Sequence, residues 1–441
     1  MNLYLKSRQL INFIKGIVFL NIFFLVGTFI FNNYYFNILN STWQDGSQIK
    51  YILLEFCLAR ENVLATWYSS MVFFSVGIIF FICYLIKQKD LSKKYNNILS
   101  FGWLVFSGIF VLLSLDEMAS LHERLGNITD INPLPDLASG WVALLGIPIA
   151  LVAGFMIWFC LLQVKRAPVA AFFTIAGVLV FLSIPVQEYY EMHSWQTANN
   201  SESWKRPVGF LLLEEGSELF GATLMMVSGL LFAYNLSTDK KFTLGSSFVL
   251  KFQLDKRNIL FQYAAGSVVL FLLMVTIVNN DLLNIEGEIS DLGKRENWFP
   301  AVSAFLCSLL CLYLYFKDSF FNSPKIFLYL SAFSLLISAF YGSDLYNYMY
   351  SPFSSNYKIF IFAFLSFITL GLAIKMFISM KDRYDRTAIL LWAFLLILAF
   401  GIGTWFAAAL VFMGFAFLSL LLIYRITTVP VVSGSRVVGS H

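Results

Sequence analysis

The stretch that decides the fold is "ILSFGWLVFSGIFVLL" (Ile98–Leu113), followed at once by "SLDEMASLHERLG" (Ser114–Gly126). The first part carries no charge. The second brings Asp116, Glu117, His122 and Glu123 within a few residues. A helix rises ~1.5 Å per residue and the hydrocarbon core of a bilayer is ~30 Å thick, so an apolar run of about twenty residues crosses it. The chain therefore reaches the far side of a membrane just where the acids begin, and the question is what gathers them there.

Runs of the same kind recur along the 441 residues, of which 59% are hydrophobic, 18% aromatic and only 13% charged. That composition excludes an ordinary soluble domain and predicts an all-α, polytopic membrane protein. Twelve segments are expected, near 10–31, 63–86, 98–117, 140–163, 168–188, 208–234, 259–278, 299–316, 325–343, 358–379, 387–404 and 406–424. The first lacks a small-residue cleavage site and is too long for a signal-peptide core, so it reads as a retained helix. A formal charge of +4 points to no nucleic-acid partner; the bilayer is the partner the sequence declares. Of five cysteines, Cys83, Cys160, Cys307 and Cys311 lie in apolar runs and Cys57 in a loop, which leaves no disulfide framework and no Cys-x-x-Cys motif.

Charge placement orients the spans. With twelve of them, one set of alternate loops, together with both termini and the span ends next to them, holds 22 of the 30 Lys and Arg. Cytoplasmic loops carry the Lys/Arg excess, so both termini are expected inside and the Asp116 cluster outside. The Phe, Ile, Asn and Lys-rich composition fits a bacterial gene and hence an inner, plasma membrane.

An internal repeat is also legible. "ARENVLATWYSS" (Ala59–Ser70) opens the second span and "KRENWFPAVSAF" (Lys294–Phe305) the eighth. "LLSLDEMAS" at the end of the third lines up with "AFYGSDLYN" at the end of the ninth, matching Asp116 to Asp344. Two six-span halves follow, 1–245 and 246–426, with a tail at 427–441 expected to be disordered. Six spans per half give both halves the same orientation, a parallel 6+6 repeat about an axis along the membrane normal. The second half is a degenerate copy, because nothing in it corresponds to His122 and Glu123.

The first half concentrates ionisable groups at three outer helix ends. They are Asp116, Glu117, His122 and Glu123 after span three, Glu188, Glu191 and His193 after span five, and Glu214, Glu215 and Glu218 at the start of span six. Counted from the opposite helix ends, Asp116, Glu188 and Glu218 reach a common layer. Asp116, Ser120 and Glu123 share a helical stripe, as do Glu214 and Glu218. Pro185 is expected to kink span five just before Glu188. Carboxylates brought together repel unless protons or a cation neutralise them, and carboxylate with imidazole is a usual ligand set for zinc, iron or manganese, carboxylate alone for calcium. Asp116, His122, Glu188, His193 and Glu218 are the candidate ligands of a divalent metal. Glu117, Glu123 and Glu214 are the acids left over to act as a general base. Glu61, Asn62, Trp67 and Ser69, at the outer start of span two, are level with the cluster and are candidate substrate contacts. The competing structural reading is that acids at helix ends are cheap to keep solvated, which suits Glu123, Glu191 and Glu215 best. Asp116 and Glu218 lie on the membrane side of their helix ends, where ionisable groups tend to be functional.

In the order "ENVLATWYSS", "LDEMASLHE" and "EEGSE", the first half resembles a group of uncharacterised bacterial multi-pass membrane proteins, which marks these positions as a shared signature and implies no chemistry. In its chemistry alone the chain resembles membrane-embedded metal hydrolases of the alkaline ceramidase type, which hold zinc near one membrane face. Those use three histidines in seven spans, whereas two non-terminal histidines are available here. Three functions stay open: a metal-dependent enzyme acting on a lipid or lipid-linked substrate, a cation- or proton-coupled transporter, and a non-catalytic subunit or receptor with a structural metal.

Overall fold

In the computed structural model the residues described are 2–5, 7–35, 53–58, 63–88, 96–119, 140–163, 167–197, 207–238, 248–251, 267, 298–316, 325–343, 355–379, 383–402 and 405–428. Glu61, Asn62, His122, Glu123, the expected span at 259–278 apart from residue 267, and residues 429–441 of the tail lie outside them. The helices are α1 (Ser7–Ile30), α2 (Leu64–Gln88), α3 (Asn96–Ala119), α4 (Gly140–Gln163), α5 (Pro168–Thr197), α6 (Val208–Thr238), α7 (Trp298–Phe316), α8 (Lys325–Gly342), α9 (Ser355–Ser379), α10 (Arg383–Ile402) and α11 (Trp405–Thr428). Each coincides with an apolar segment of the sequence. α1 to α8 contain stretches long and apolar enough to cross a membrane, and α9 to α11 contain shorter apolar ones. A π-helical turn, Phe31–Tyr35, prolongs α1. Among the described residues the other regular element is a two-stranded antiparallel ribbon in which β1 (Asn2–Leu5) pairs with β2 (Phe248–Lys251), itself packed on α6.

α5 runs unbroken through Pro185 to Thr197, beyond the apolar window that ends near 188. A helix ends where its backbone hydrogen bonds end, and "QEYYEMHSWQT" contains no glycine or proline to stop it. The start of α2 is fixed by a device of a different kind. Glu55, almost fully buried, accepts the Leu64 N–H through Oε2 at 2.9 Å, and its carbonyl accepts the Ala65 N–H at 3.0 Å. The first N–H groups of a helix have no partner within it and favour an anion there. The same segment is tied back to α1, where Thr28 Oγ1 accepts the Leu58 N–H at 2.9 Å.

Packing divides the chain into two apolar cores. One is built from α1 to α6, and the other from α7 to α11 with Met71, Phe74 and Met118 of the first group. The first core is aromatic at its centre: Trp103 of α3 meets Phe80, Phe106, Phe159 and Phe232 with ring centroids 4.7 to 6.0 Å apart. Gly102 makes this possible, because a Cβ there would collide with the Phe159 ring. Polar ties between helices are buried and local. Asn21 of α1 donates to Thr223 Oγ1 of α6 at 2.9 Å and accepts from the Tyr68 hydroxyl of α2 at 2.7 Å.

The helices pair in the same pattern within each group. α2 packs on α3 and α6, α3 on α4, α4 on α5, and α5 on α6. Correspondingly α7 packs on α8 and α11, α8 on α9, α9 on α10, and α10 on α11. Between the groups α2 meets α7 and α8, and α7 meets α3. Two tryptophans cross this seam in opposite directions: Trp67 of α2 donates to Ser338 Oγ of α8 at 3.0 Å, and Trp298 of α7 donates to Ser114 Oγ of α3 at 3.1 Å. Trp67 also lies against Gly342, where a Cβ would overlap its indole.

Candidate carboxylate site

Two helices supply the acids at the heart of the site. On α3, Asp116 and Glu117 stand in the last turn, carried there by an apolar helix that ends at Ala119. On α6, Glu214, Glu215 and Glu218 occupy the first third, Glu218 ten residues and so about 15 Å along the axis from Val208. All five side chains are half-buried. One carboxylate oxygen from each of Glu117, Glu215 and Glu218 lies within 4.8 Å of the other two, a separation that a single cation can bridge. Glu117, Glu215, Glu214 and Asp116 all lie near enough to Glu218 to repel a charge on it. Such a group is held together only if protons or a cation offset that repulsion.

The acids close one end of a cavity of about 330 Å³ between α3, α4, α5 and α6, with Phe73 of α2 on its wall. Among the described residues, Asp116, Glu117, Glu214 and Glu218 are its polar side chains. The rest of the lining is apolar, including Ile109, Val152, Met156, Phe181, Leu182 and Met225. Pro148 of α4 and Pro185 of α5 also border it. Each proline removes one helix hydrogen bond and leaves the carbonyl four residues earlier without its usual donor.

The walls are fixed by bonds next to the acids. Gln187 of α5 donates through Nε2 to Ser183 Oγ at 3.0 Å and to Ser217 Oγ of α6 at 3.1 Å, one residue before Glu218. On the other side, Ser70 of α2 donates to the Ser114 carbonyl at 2.6 Å, and the two hydroxyl oxygens are 2.9 Å apart. Ser114 is two residues before Asp116. With Trp298 on its Oγ, its side chain is fully engaged.

Against the sequence reading, the structure brings Asp116, Glu117, Glu214 and Glu218 to one cavity. Glu215, which does not line the cavity, joins Glu117 and Glu218 among the gathered oxygens; sequence reasoning left it as a solvated acid although its i, i+3 spacing to Glu218 already placed the two on one face. Glu117 falls among the three gathered oxygens, whereas the sequence reading left it with Glu214 among the spare acids. The backbone of Glu188 and His193 belongs to the last turns of α5; their side chains, like His122 and Glu123, lie outside the described residues. Glu191 is half-buried and is not one of the three gathered acids. Trp67 is turned into the seam, onto Ser338, and Ser69 is buried; neither lines the cavity. The Gln187–Ser217 tie and the Glu55 cap were not foreseen.

Fold and site together define a multi-pass, α-helical membrane protein with an acidic cavity set among its apolar helices. Residues 22–233 match the model of a domain of unknown function, DUF8692. That stretch runs from within α1 to within α6 and includes every residue named in the cavity. No curated protein and no solved structure matches the chain.

Proposed function

We propose that the protein is a membrane-embedded enzyme that holds a divalent cation at Glu117, Glu215 and Glu218 and acts on a lipid or lipid-linked substrate. One observation carries this reading: three carboxylate oxygens within 4.8 Å of one another, two of them from Glu117 and Glu218, which line a cavity among membrane-crossing helices. A cation there would polarise a substrate or water oxygen. Asp116 and Glu214 face the same cavity and are placed to accept the proton released. His122, Glu188 and His193 belong to chain segments next to the acidic helix ends and are the candidates to complete the coordination sphere. With carboxylates alone the set suits calcium or manganese; with an imidazole it suits zinc or iron. The Lys/Arg distribution supports both termini in the cytoplasm and a site on the extracytoplasmic side of the inner membrane.

The test is the metal content of the purified protein by plasma mass spectrometry, beside Glu117→Gln and Glu218→Gln. About one equivalent of metal, lost in both variants, is the expected result. Metal-free wild-type protein would sink the reading.

A second reading, a cation- or proton-coupled carrier, draws on a separate observation. The helix pairings of α2–α6 recur in α7–α11, and Trp67 and Trp298 cross the seam reciprocally. Both support twelve spans in a parallel 6+6 repeat, an arrangement frequent among carriers. Cation-dependent uptake into proteoliposomes, abolished by Glu218→Gln, is the result that would favour it.

A further inference from the structure

α3 and α4 meet at one end and part toward the other. They cross at Gly102, where a Cβ would collide with the Phe159 ring, and Phe106 meets Phe155 and Phe159 with ring centroids 5.6 and 5.1 Å apart. From this crossing each helix turns one stripe toward the other, at steps of four, three and four residues. On α3 the stripe is Gly102, Phe106, Ile109 and Leu113; on α4, which runs the opposite way, it is Phe159, Phe155, Val152 and Pro148.

The stripes open as they approach the acids. Gly102, Phe106 and Phe159 are buried, Ile109, Leu113, Phe155 and Val152 are half-buried, and Pro148 is exposed. Beyond the aromatic crossing the cavity lies between them, because Ile109, Leu113, Val152 and Pro148 all line it. A residue that lines a cavity and is also exposed marks its mouth. Leu113 and Pro148 fall inside the stretches long and apolar enough to cross a membrane, Phe101–Met118 and Gly146–Gln163. Beside them on the same helices, Leu112, Ile147 and Leu151 are exposed apolar side chains of the kind that lipid tails cover.

We propose that the cavity is entered sideways from the bilayer, through the cleft between α3 and α4, and that its occupant is an acyl chain of a membrane lipid. This deepens the reading above, on which it rests for the part played by the acids, by naming the route and the source of the substrate. A lipid resident in the leaflet on the side of the acids reaches the carboxylates by sliding between two helices, without leaving the membrane. The aromatic crossing at Gly102 closes the cleft at its inner end, so the chain lies along the stripes with its tail toward Phe106.

The test uses native probes. Met156 of α4 and Met225 of α6 are buried and line the cavity, whereas Met226, as buried as Met225, does not line it. The full chain, isotope-labelled at its methionine methyl groups, is placed in phosphatidylcholine nanodiscs. Methyl NMR linewidths are compared with and without phosphatidylcholine spin-labelled near the end of one acyl chain. Met156 and Met225 should broaden severalfold more than Met226. Leu113→Trp obstructs the mouth and Ala153→Phe fills the cavity from α4. At least one of these, eluting as a single folded species, should lose the excess broadening, while Leu112→Trp, on the lipid-facing side of α3, keeps it. Broadening of Met156 and Met225 no greater than that of Met226 would overturn the proposal, as would an excess that survives in both obstructing variants or is lost equally in Leu112→Trp. Metal-free wild-type protein with the excess intact would uphold the lateral route while removing the metal-dependent reading; bound metal without the excess would do the reverse.

Discussion

The indole N–H of Trp298 reaches Ser114 Oγ at 3.1 Å from the far side of the seam, two residues before Asp116. The second group of helices thus grips α3 just where α3 delivers its acids. The counterpart, Trp67 on Ser338, grips α8, which carries none of the five gathered acids. Two bonds of similar length therefore differ in what they hold.

Trp298→Phe keeps an aromatic ring beside Phe74 and Phe299 and removes the N–H. Such a bond contributes about 0.6 kcal/mol in a bilayer protein, up to ~1.7, so a loss of that order in thermal or denaturant stability is expected. Trp67→Phe should cost about the same. Metal affinity separates them: it should fall in Trp298→Phe and stay at the wild-type value in Trp67→Phe. Equal effects would mean that Trp298 has no positioning role.

Gly342→Ala places a methyl group where the Trp67 ring already lies. Overpacking of this kind costs ~1–3 kcal/mol, and the loss should be visible as a lower melting temperature in a fixed detergent. Gly371→Ala is the control. Nothing lies within 4 Å of a Cβ there, so the higher helix propensity of alanine should leave stability unchanged or raise it by up to ~1 kcal/mol.

Asn21→Leu breaks the tie among α1, α2 and α6, removing one partner each of Thr223, whose hydroxyl still donates to the Leu219 carbonyl at 2.8 Å, and of Tyr68, whose hydroxyl keeps the Ile17 carbonyl at 3.2 Å. A destabilisation of about 0.6 to 1.7 kcal/mol is expected. In a double-mutant cycle with Thr223→Val the two losses should be less than additive, because they share one bond. Additive losses would show that the bond contributes nothing.

Glu215→Gln and Glu191→Gln replace two acids that look alike in sequence, each in a helix segment beside other acids. Only Glu215 belongs to the gathered oxygens. Apparent metal affinity should drop about tenfold or more in Glu215→Gln and stay constant in Glu191→Gln, as measured by metal titration after chelator treatment.

What the sequence revealed, and what it hid, follows from the solvent. Spans such as Leu64–Lys87 announce themselves because lipid demands a long uncharged helix. The layer of acids was legible too, since counting residues along α3 and α6 gives depth. Rotation about the helix axis was not. In water the apolar stripe of a helix points to the core, but in a bilayer the outward face is apolar as well. Leu213 is exposed and Leu211 buried on the same helix, with nothing in their chemistry to tell them apart. The grouping of Glu215 with Glu117 depended on that rotation, as did the turn of Trp67 away from the cavity. The Trp–Ser contacts were hidden for a second reason: Ser114 and Trp298 are 184 residues apart in sequence, and neither residue type announces a partner.

The β1–β2 ribbon joins the fifth residue of the chain to the 248th. During synthesis its first strand must wait for the second, and at roughly 5–20 residues per second that interval lasts tens of seconds. All six helices of the first group are made in that time. Once β2 is made, the ribbon staples the start of this group to its end. A tag fused at Met1 would sit at the very edge of that staple, whereas one placed after His441 would leave it free to form.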